Sequence, residues 1–264
     1  MGRLNPLSTL FSSPECYLSS MPVKFNDLQM LTKDAIAHYW STLSNQGAKQ
    51  REGDADRGGR AAVTGGKQMD GFCRVVKSLL ERHGLQGSHI HLRSKLELPG
   101  YFRPTKSWDM LVIHEGTLLA AMEFKSQRGP SFGNNFNNRT EEALGTAHDL
   151  WTAYREGAFG RGHLRPWLGW IMLLEECPKS TSPVAVAEPH FKVFPEFQGA
   201  SYADRYELLL RKMVLEKLYD SAALLMATAE GGTKGNFREP ATDLGLKRFF
   251  AGLSGHVTTY LASR

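Results

Sequence analysis

The stretch Ser107-Trp108-Asp109-Met110-Leu111-Val112-Ile113-His114-Glu115-Gly116-Thr117-Leu118-Leu119-Ala120-Ala121-Met122-Glu123-Phe124-Lys125-Ser126-Gln127 decides the fold. It reads as two apolar strands joined by a turn at Glu115-Gly116, where glycine supplies the backbone freedom of a tight hairpin. Asp109, Glu123 and Lys125 interrupt otherwise apolar strands. Side chains two apart on a strand share a face, so Glu123 and Lys125 point together and Phe124 points away. With Glu115-Gly116-Thr117 as the loop, the numbers of facing residues sum to about 232, which sets Asp109 opposite Glu123. Two carboxylates and an ammonium then meet on one face of a sheet, a place to hold a divalent cation and activate water. The same loose pattern also fits an exposed hairpin with solvated charges, so its neighbourhood has to decide.

Working outward, Met69 to His83 carries Met69, Phe72, Val75, Val76, Leu79 and Leu80 on one helical face, with Gly84 as its stop. Asn26 to Leu43 has a weaker apolar stripe of the same period and also reads as a helix. Between them, Ser44 to Gly66 is polar and glycine-rich and reads as a loop. His89 to Leu98 alternates like a strand closed by Pro99-Gly100, and the turn Tyr101 to Lys106 leads into the hairpin. Arg128 to Asn138 reads as a polar loop, followed by a helix from Arg139 to Glu156 that buries Ala143, Leu144, Ala147, Leu150 and Tyr154. Trp167 to Leu174 is an apolar strand, and 178–200 is irregular and proline-bearing. Tyr202 to Leu225 reads as one long helix, and Leu244 to Leu261 as another. Helix, three strands, helix, strand and further helices suit a mixed sheet flanked by helices in a single α/β domain over 21–264. Residues 1–20, rich in Ser and Pro, read as a mobile arm, with Met21 an alternative start to Met1.

The 264 residues are 41% apolar with a formal charge of +5, an ordinary globular composition that mildly favours an acidic partner. Cys16, Cys73 and Cys177 are too scattered for a disulfide framework or a zinc site, which points to a reducing cytoplasm. No apolar run approaches a membrane span, and the N-terminus lacks the apolar core of a signal peptide. The sequon at Asn138 therefore has no secretory context.

Helix, β-meander, helix, strand, with Asp109 opening one strand and Glu123-x-Lys125 closing the next, resembles the PD-(D/E)xK nuclease superfamily. Trp108 stands where that pattern most often has proline. Longer runs carry the resemblance to one family: Leu98-Pro-Gly-Tyr-Phe-Arg-Pro-Thr-Lys106, Trp108-Asp109, Glu123-x-Lys125-Ser126 and Gly129-Pro-Ser-Phe-Gly-Asn-Asn-Phe-Asn-Asn-Arg139. With Glu141-Glu142-Ala143, Gly145 to Leu150, Gly65 to Phe72 and Gly199 to Tyr202, they resemble the XhoI family of type II restriction endonucleases.

That resemblance implies a homodimeric, Mg²⁺-dependent nuclease that cuts double-stranded DNA at CTCGAG and leaves 5′ overhangs. It further implies a cognate methyltransferase in the same host. Asp109 and Glu123 would hold the metal, with the carbonyl of Phe124 completing its shell, and Lys125 would orient or help deprotonate the attacking water. Asn134, Asn135, Asn137, Asn138 and Arg139 are the candidates for base reading, since Asn pairs with adenine and Arg with guanine in the major groove. Arg103 and Lys106 are candidates for gripping the DNA backbone.

Other groups have structural readings of equal or greater weight. Asp70, Glu141 and Glu142 suit helix starts whatever the function. His148 and Asp149 are adjacent on a helix and so diverge, and His89 and His91 share a strand face without a third ligand nearby. Gly65-Gly66-Lys67 lacks the spacing of a phosphate loop. Two rival functions remain at this level: a repair or recombination nuclease of the same superfamily, and a DNA-binding module without catalysis.

Overall fold

The computed structural model describes residues 25–51, 67–160, 162 and 164–264. The proposed N-terminal arm and the glycine-rich segment 52–66 lie outside the described residues. Five strands form the main sheet in the order β1 (Ile90–His91), β4 (Met110–His114), β5 (Thr117–Gln127), β6 (Trp167–Glu175), β7 (Ser221–Ala227). The β1–β4 and β4–β5 pairs are antiparallel, and β5–β6 and β6–β7 are parallel. A separate ribbon pairs β2 (Glu97–Pro99) with β3 (Thr105–Ser107).

Helices cover both faces. On one side α1 (Phe25–Arg51), α2 (Asp70–Arg82) and α7 (Leu246–Ala262) pack against Met110, Val112, Met122, Phe124, Ile171 and Leu225. On the other, α3 (Phe132–Arg155) and α5 (Tyr202–Leu215) pack against Leu111, Ala121, Trp170, Met172 and Leu224. Two short helices, α4 (Pro178–Thr181) and α6 (Ala229–Thr233), complete the set among the described residues. The expected mixed sheet flanked by helices is what the chain forms.

The hairpin reaches the anticipated register by a different route. The loop is only Glu115-Gly116, both at positive φ (48° and 75°), the two-residue turn whose twist matches the strands it joins. Near the turn the pairs are His114–Thr117 and Ile113–Leu118; beyond a bulge they become Val112–Ala120, Leu111–Ala121 and Met110–Met122. The extra residue puts Leu119 and Ala120 against the same core, so β5 changes the face it presents from there on. Without the bulge, Glu123 and Lys125 would lie under α2 and α7. With it, they share the α3 face with Ala121, and Asp109 joins them as the residue two before Leu111.

Several sequence expectations need correction. The helix read as ending at Leu43 continues to Arg51, because Ser44 to Arg51 is polar and offers no apolar period to read. The strand read over His89 to Leu98 is two short strands, β1 and β2, separated by a turn with Lys95 at positive φ. The asparagine run is not a loop: α3 starts at Phe132, so all four asparagines and Arg139 are helical. Asn and Gly are weak helix formers, and packing overrides that preference here. Phe132 stacks on Tyr202 and Phe136 meets Tyr206 edge-on, while Gly133 leaves room for the Tyr202 hydroxyl, which would lie 2.7 Å from an added Cβ. Leu144, placed on the buried face of that helix, is exposed.

The largest correction concerns Tyr202 to Leu225. The helix stops at Leu215, Lys217 takes a positive φ, and Ser221 to Ala227 is a wholly buried parallel strand. A strand covered on both faces reads as a continuous apolar run, which periodicity alone does not separate from a buried helix.

Candidate active site

Asp109 lies just before β4, and its Oδ2 accepts from the backbone N–H of Phe124 (2.8 Å) and from Lys125 Nζ (3.1 Å). The first bond ties the two strands together at the point where the acids face one another. Glu123 is 2% exposed and is flanked by two ammonium groups: Lys106 donates to its Oε1, and Lys125 is ion-paired with its Oε2. From α3, Glu142 adds a third carboxylate, with Oε1 3.3 Å from Lys125 Nζ and Oε2 accepting from Arg139 at 2.6 Å. Asp109, Glu123 and Glu142 thus face Lys106, Lys125 and Arg139 in a charge-balanced cluster under one face of the sheet.

The electrostatics separate the roles. Burial and the nearby Asp109 charge push the Glu123 carboxyl above its ordinary value, against the opposing pull of Lys125 and Lys106. Burial alone would lower Lys125, but Glu123, Asp109 and Glu142 outweigh it and hold the amine well above its ordinary value. Lys125 is therefore a fixed cation in this arrangement. Glu142 is held below the ordinary carboxylate range: burial pulls it upward, and Lys125 and Arg139 together overcome that. On the opposite face, burial and then Asp109 and Asp70 push the Cys73 thiol up to about 12, so it is a packed group rather than a nucleophile.

The site candidates do not all gather here. Asp109, Glu123 and Lys125 meet, and Phe124 contributes its N–H to Asp109 while its ring packs in the opposite core. Arg139 joins through Glu142, and Lys106 sits directly on Glu123. Arg103 is elsewhere: its Nε donates to Asp149 Oδ2 at 2.7 Å. Asn134, Asn137 and Asn138 are exposed and Asn135 is half-buried. By helical spacing, Asn135 and Asn138 precede Arg139 and Glu142 by one turn and lie at the edge of the cluster.

Two participants have a place in the structure that the sequence does not suggest. Glu142 was assigned to a helix start, yet α3 begins ten residues earlier, so its role is the contact with Lys125. The visible signal was its spacing from Arg139, i and i+3 on one face. Lys106 gave no such signal, since its contact depends on how the β2–β3 ribbon folds back. His89 packs on His114 with ring centroids 4.5 Å apart, and His91 is pulled below the ordinary imidazole range by burial. Among the described residues, no group of three His, Cys, Asp or Glu side chains forms a ready-made metal cage. His148 and Asp149, expected to face different ways, both meet the 100–104 turn, His148 stacking on the Phe102 ring and Asp149 accepting from the Tyr101 and Phe102 N–H groups.

The model of the restriction endonuclease XhoI family matches residues 48–239, which include the whole cluster. The chain belongs to this family. Similar proteins include the type II restriction enzyme BstVI of Geobacillus stearothermophilus, 54% identical over 219 residues that span 81% of this chain and 97% of that protein. The type II restriction enzyme XhoI of Xanthomonas vasicola is 43% identical over 226 residues, 83% of this chain and 90% of its own. AbrI of Azospirillum brasilense, also a type II restriction enzyme, is 51% identical over 174 residues, 65% of this chain and 78% of its own. No solved structure matches the chain. As a member of the XhoI family, the protein is a type II restriction endonuclease, a site-specific deoxyribonuclease. Among the described residues, no helix is long and apolar enough to cross a membrane.

Proposed function

We propose that this endonuclease is a cytoplasmic homodimer that hydrolyses both strands of double-stranded DNA at CTCGAG, leaving 5′ overhangs, with Mg²⁺ as cofactor. The observation that supports the chemistry is the Lys125 ammonium, paired with both Asp109 and Glu123. One cation already lies between the two carboxylates, so Asp109 and Glu123, with the Phe124 carbonyl, would hold a divalent ion there. When bound, such an ion neutralises phosphate charge and acidifies a coordinated water.

The chain's own groups do the rest. Asp109, tied to the Phe124 N–H, fixes the spacing of the two strands and hence of the two carboxylates. Lys125, held charged by its three acidic neighbours, stabilises negative charge developing on the phosphoryl oxygens and orients the attacking water. Glu142 and Arg139 carry the cluster's charge pairing onto α3, whose exposed Asn134, Asn137 and Asn138 and half-buried Asn135 offer donors and acceptors to base edges. A two-fold dimer reading a palindrome gives each strand one such site. A host methyltransferase acting on the same sequence protects the host's own DNA.

Digestion of λ and plasmid DNA with Mg²⁺ tests this reading. Discrete fragments whose ends map to C^TCGAG are expected. Discrete fragments with other ends would overturn the assigned sequence. A smear or a preference for branched substrates would favour a repair nuclease, and intact DNA a binding module.

A further inference from the structure

Lys106 enters the site from the β2–β3 ribbon, outside the hairpin that carries the D…ExK residues. Its side chain is 13% exposed, its ammonium donates to Glu123 Oε1 and to the Ser107 carbonyl (2.9 Å), and it sits 4.8 Å from the centre of the Trp108 ring. Trp108 is buried and provides the aromatic face beneath that charge. The two lysines on Glu123 differ in one respect. Lys125 also pairs with Asp109 and Glu142, whereas among the described residues Glu123 is the sole acid paired with Lys106.

We propose that Lys106 is a positioning residue that couples cation loading to phosphate binding. The proposal rests on the reading that Asp109 and Glu123 hold a divalent ion. A divalent ion that takes both oxygens of the Glu123 carboxylate competes with Lys125 at Oε2 and with Lys106 at Oε1. Lys125, when displaced, retains Glu142; Lys106 loses the one acid it pairs with among the described residues and keeps the Ser107 carbonyl, with its remaining donors unsatisfied beside the site. The anion that satisfies it is a DNA phosphate oxygen. In the cation-free protein Lys106 is engaged with Glu123 and contributes nothing to DNA; with the site loaded it contributes one phosphate contact. Because linkage is reciprocal, DNA then raises cation affinity by the same factor.

The test uses the full-length protein, a duplex carrying its cleavage sequence, and Ca²⁺, which takes the same oxygen ligands. DNA dissociation constants are measured with EDTA and with Ca²⁺ for wild type, Lys106→Met and Lys106→Gln. The Gln amide still donates to Glu123, so that variant keeps the buried acid bonded if the Met variant does not fold. Ca²⁺ is expected to tighten wild-type binding, and this gain is expected to shrink about tenfold in either folded variant, a larger loss than either variant shows in EDTA. An undiminished gain in the variants would overturn the proposal. So would an equal loss with and without Ca²⁺, which would mark Lys106 as an uncoupled backbone grip. No Ca²⁺ gain in wild type would sink the metal reading itself, and this coupling with it.

Discussion

Lys125→Ala is expected to lower the single-turnover cleavage rate by about 10³-fold or more while the protein still folds and binds its DNA sequence. Each acid that Lys125 touches keeps another partner: Glu123 keeps Lys106, Glu142 keeps Arg139, and Asp109 keeps the Phe124 N–H. No acid is therefore left without a bonded partner, and the half-exposed Asp109, which loses its one ion pair, keeps the Phe124 amide; what disappears is the positive charge facing the reacting phosphate. Glu123→Ala is expected to abolish cleavage as well, by removing a carboxylate from the proposed metal position. Gel-shift titration and single-turnover kinetics on the same duplex separate binding from chemistry. Near-normal cleavage by either variant would show that the chemistry lies elsewhere.

Asp149→Ala is the second large effect, and it acts on stability. Asp149 is buried on α3, where Oδ1 accepts from the Tyr101 N–H (2.7 Å) and the Phe102 N–H (2.9 Å), and Oδ2 from Arg103 Nε (2.7 Å). It latches the 100–104 turn to α3, and that turn joins β2 to β3, the ribbon that delivers Lys106 and leads into Asp109. Removing the carboxylate strands two backbone donors, for a cost of about 3 kcal/mol and a fall in Tm of about 6–12 °C. Burial alone would raise the Asp149 carboxyl, but the bonds from Phe102, Arg103 and Tyr101 outweigh it and hold the group below the ordinary range. A depressed carboxyl contributes stability that is present above its unfolded value, about 3.9, and lost as pH falls through the folded value. Wild type and variant are thus expected to differ fully at pH 7 and to converge below about pH 4. A constant difference across that range in thermal melts would refute the latch.

The site was legible in the sequence where it depended on alternation and illegible where it depended on tertiary return. Glu123 and Lys125 share a face by period two, and that reading holds. Asp109 was set opposite Glu123 by assuming a three-residue loop; the structure achieves the same alignment with a two-residue turn and a bulge at Leu119. The two routes differ by a compensating residue that a hydrophobic run such as Leu118-Leu119-Ala120-Ala121 does not reveal. Lys106 and Glu142 meet the pair only because a ribbon and a helix fold over it. The asparagine run looked like turn chemistry because its helix is imposed by Phe132 and Phe136 packing on Tyr202 and Tyr206, partners some seventy residues away. Ser221 to Ala227 was hidden by its own burial, which removes the polar alternation that marks a strand.

The central claim is that Asp109 and Glu123 together hold the divalent ion that acts on DNA. Anomalous scattering from Mn²⁺ in crystals of the protein bound to its duplex tests it directly. A peak is expected between the Asp109 and Glu123 carboxylates, adjoining a phosphate. A peak confined to another position, such as the His89–His114 pair, with none between these carboxylates, would contradict it.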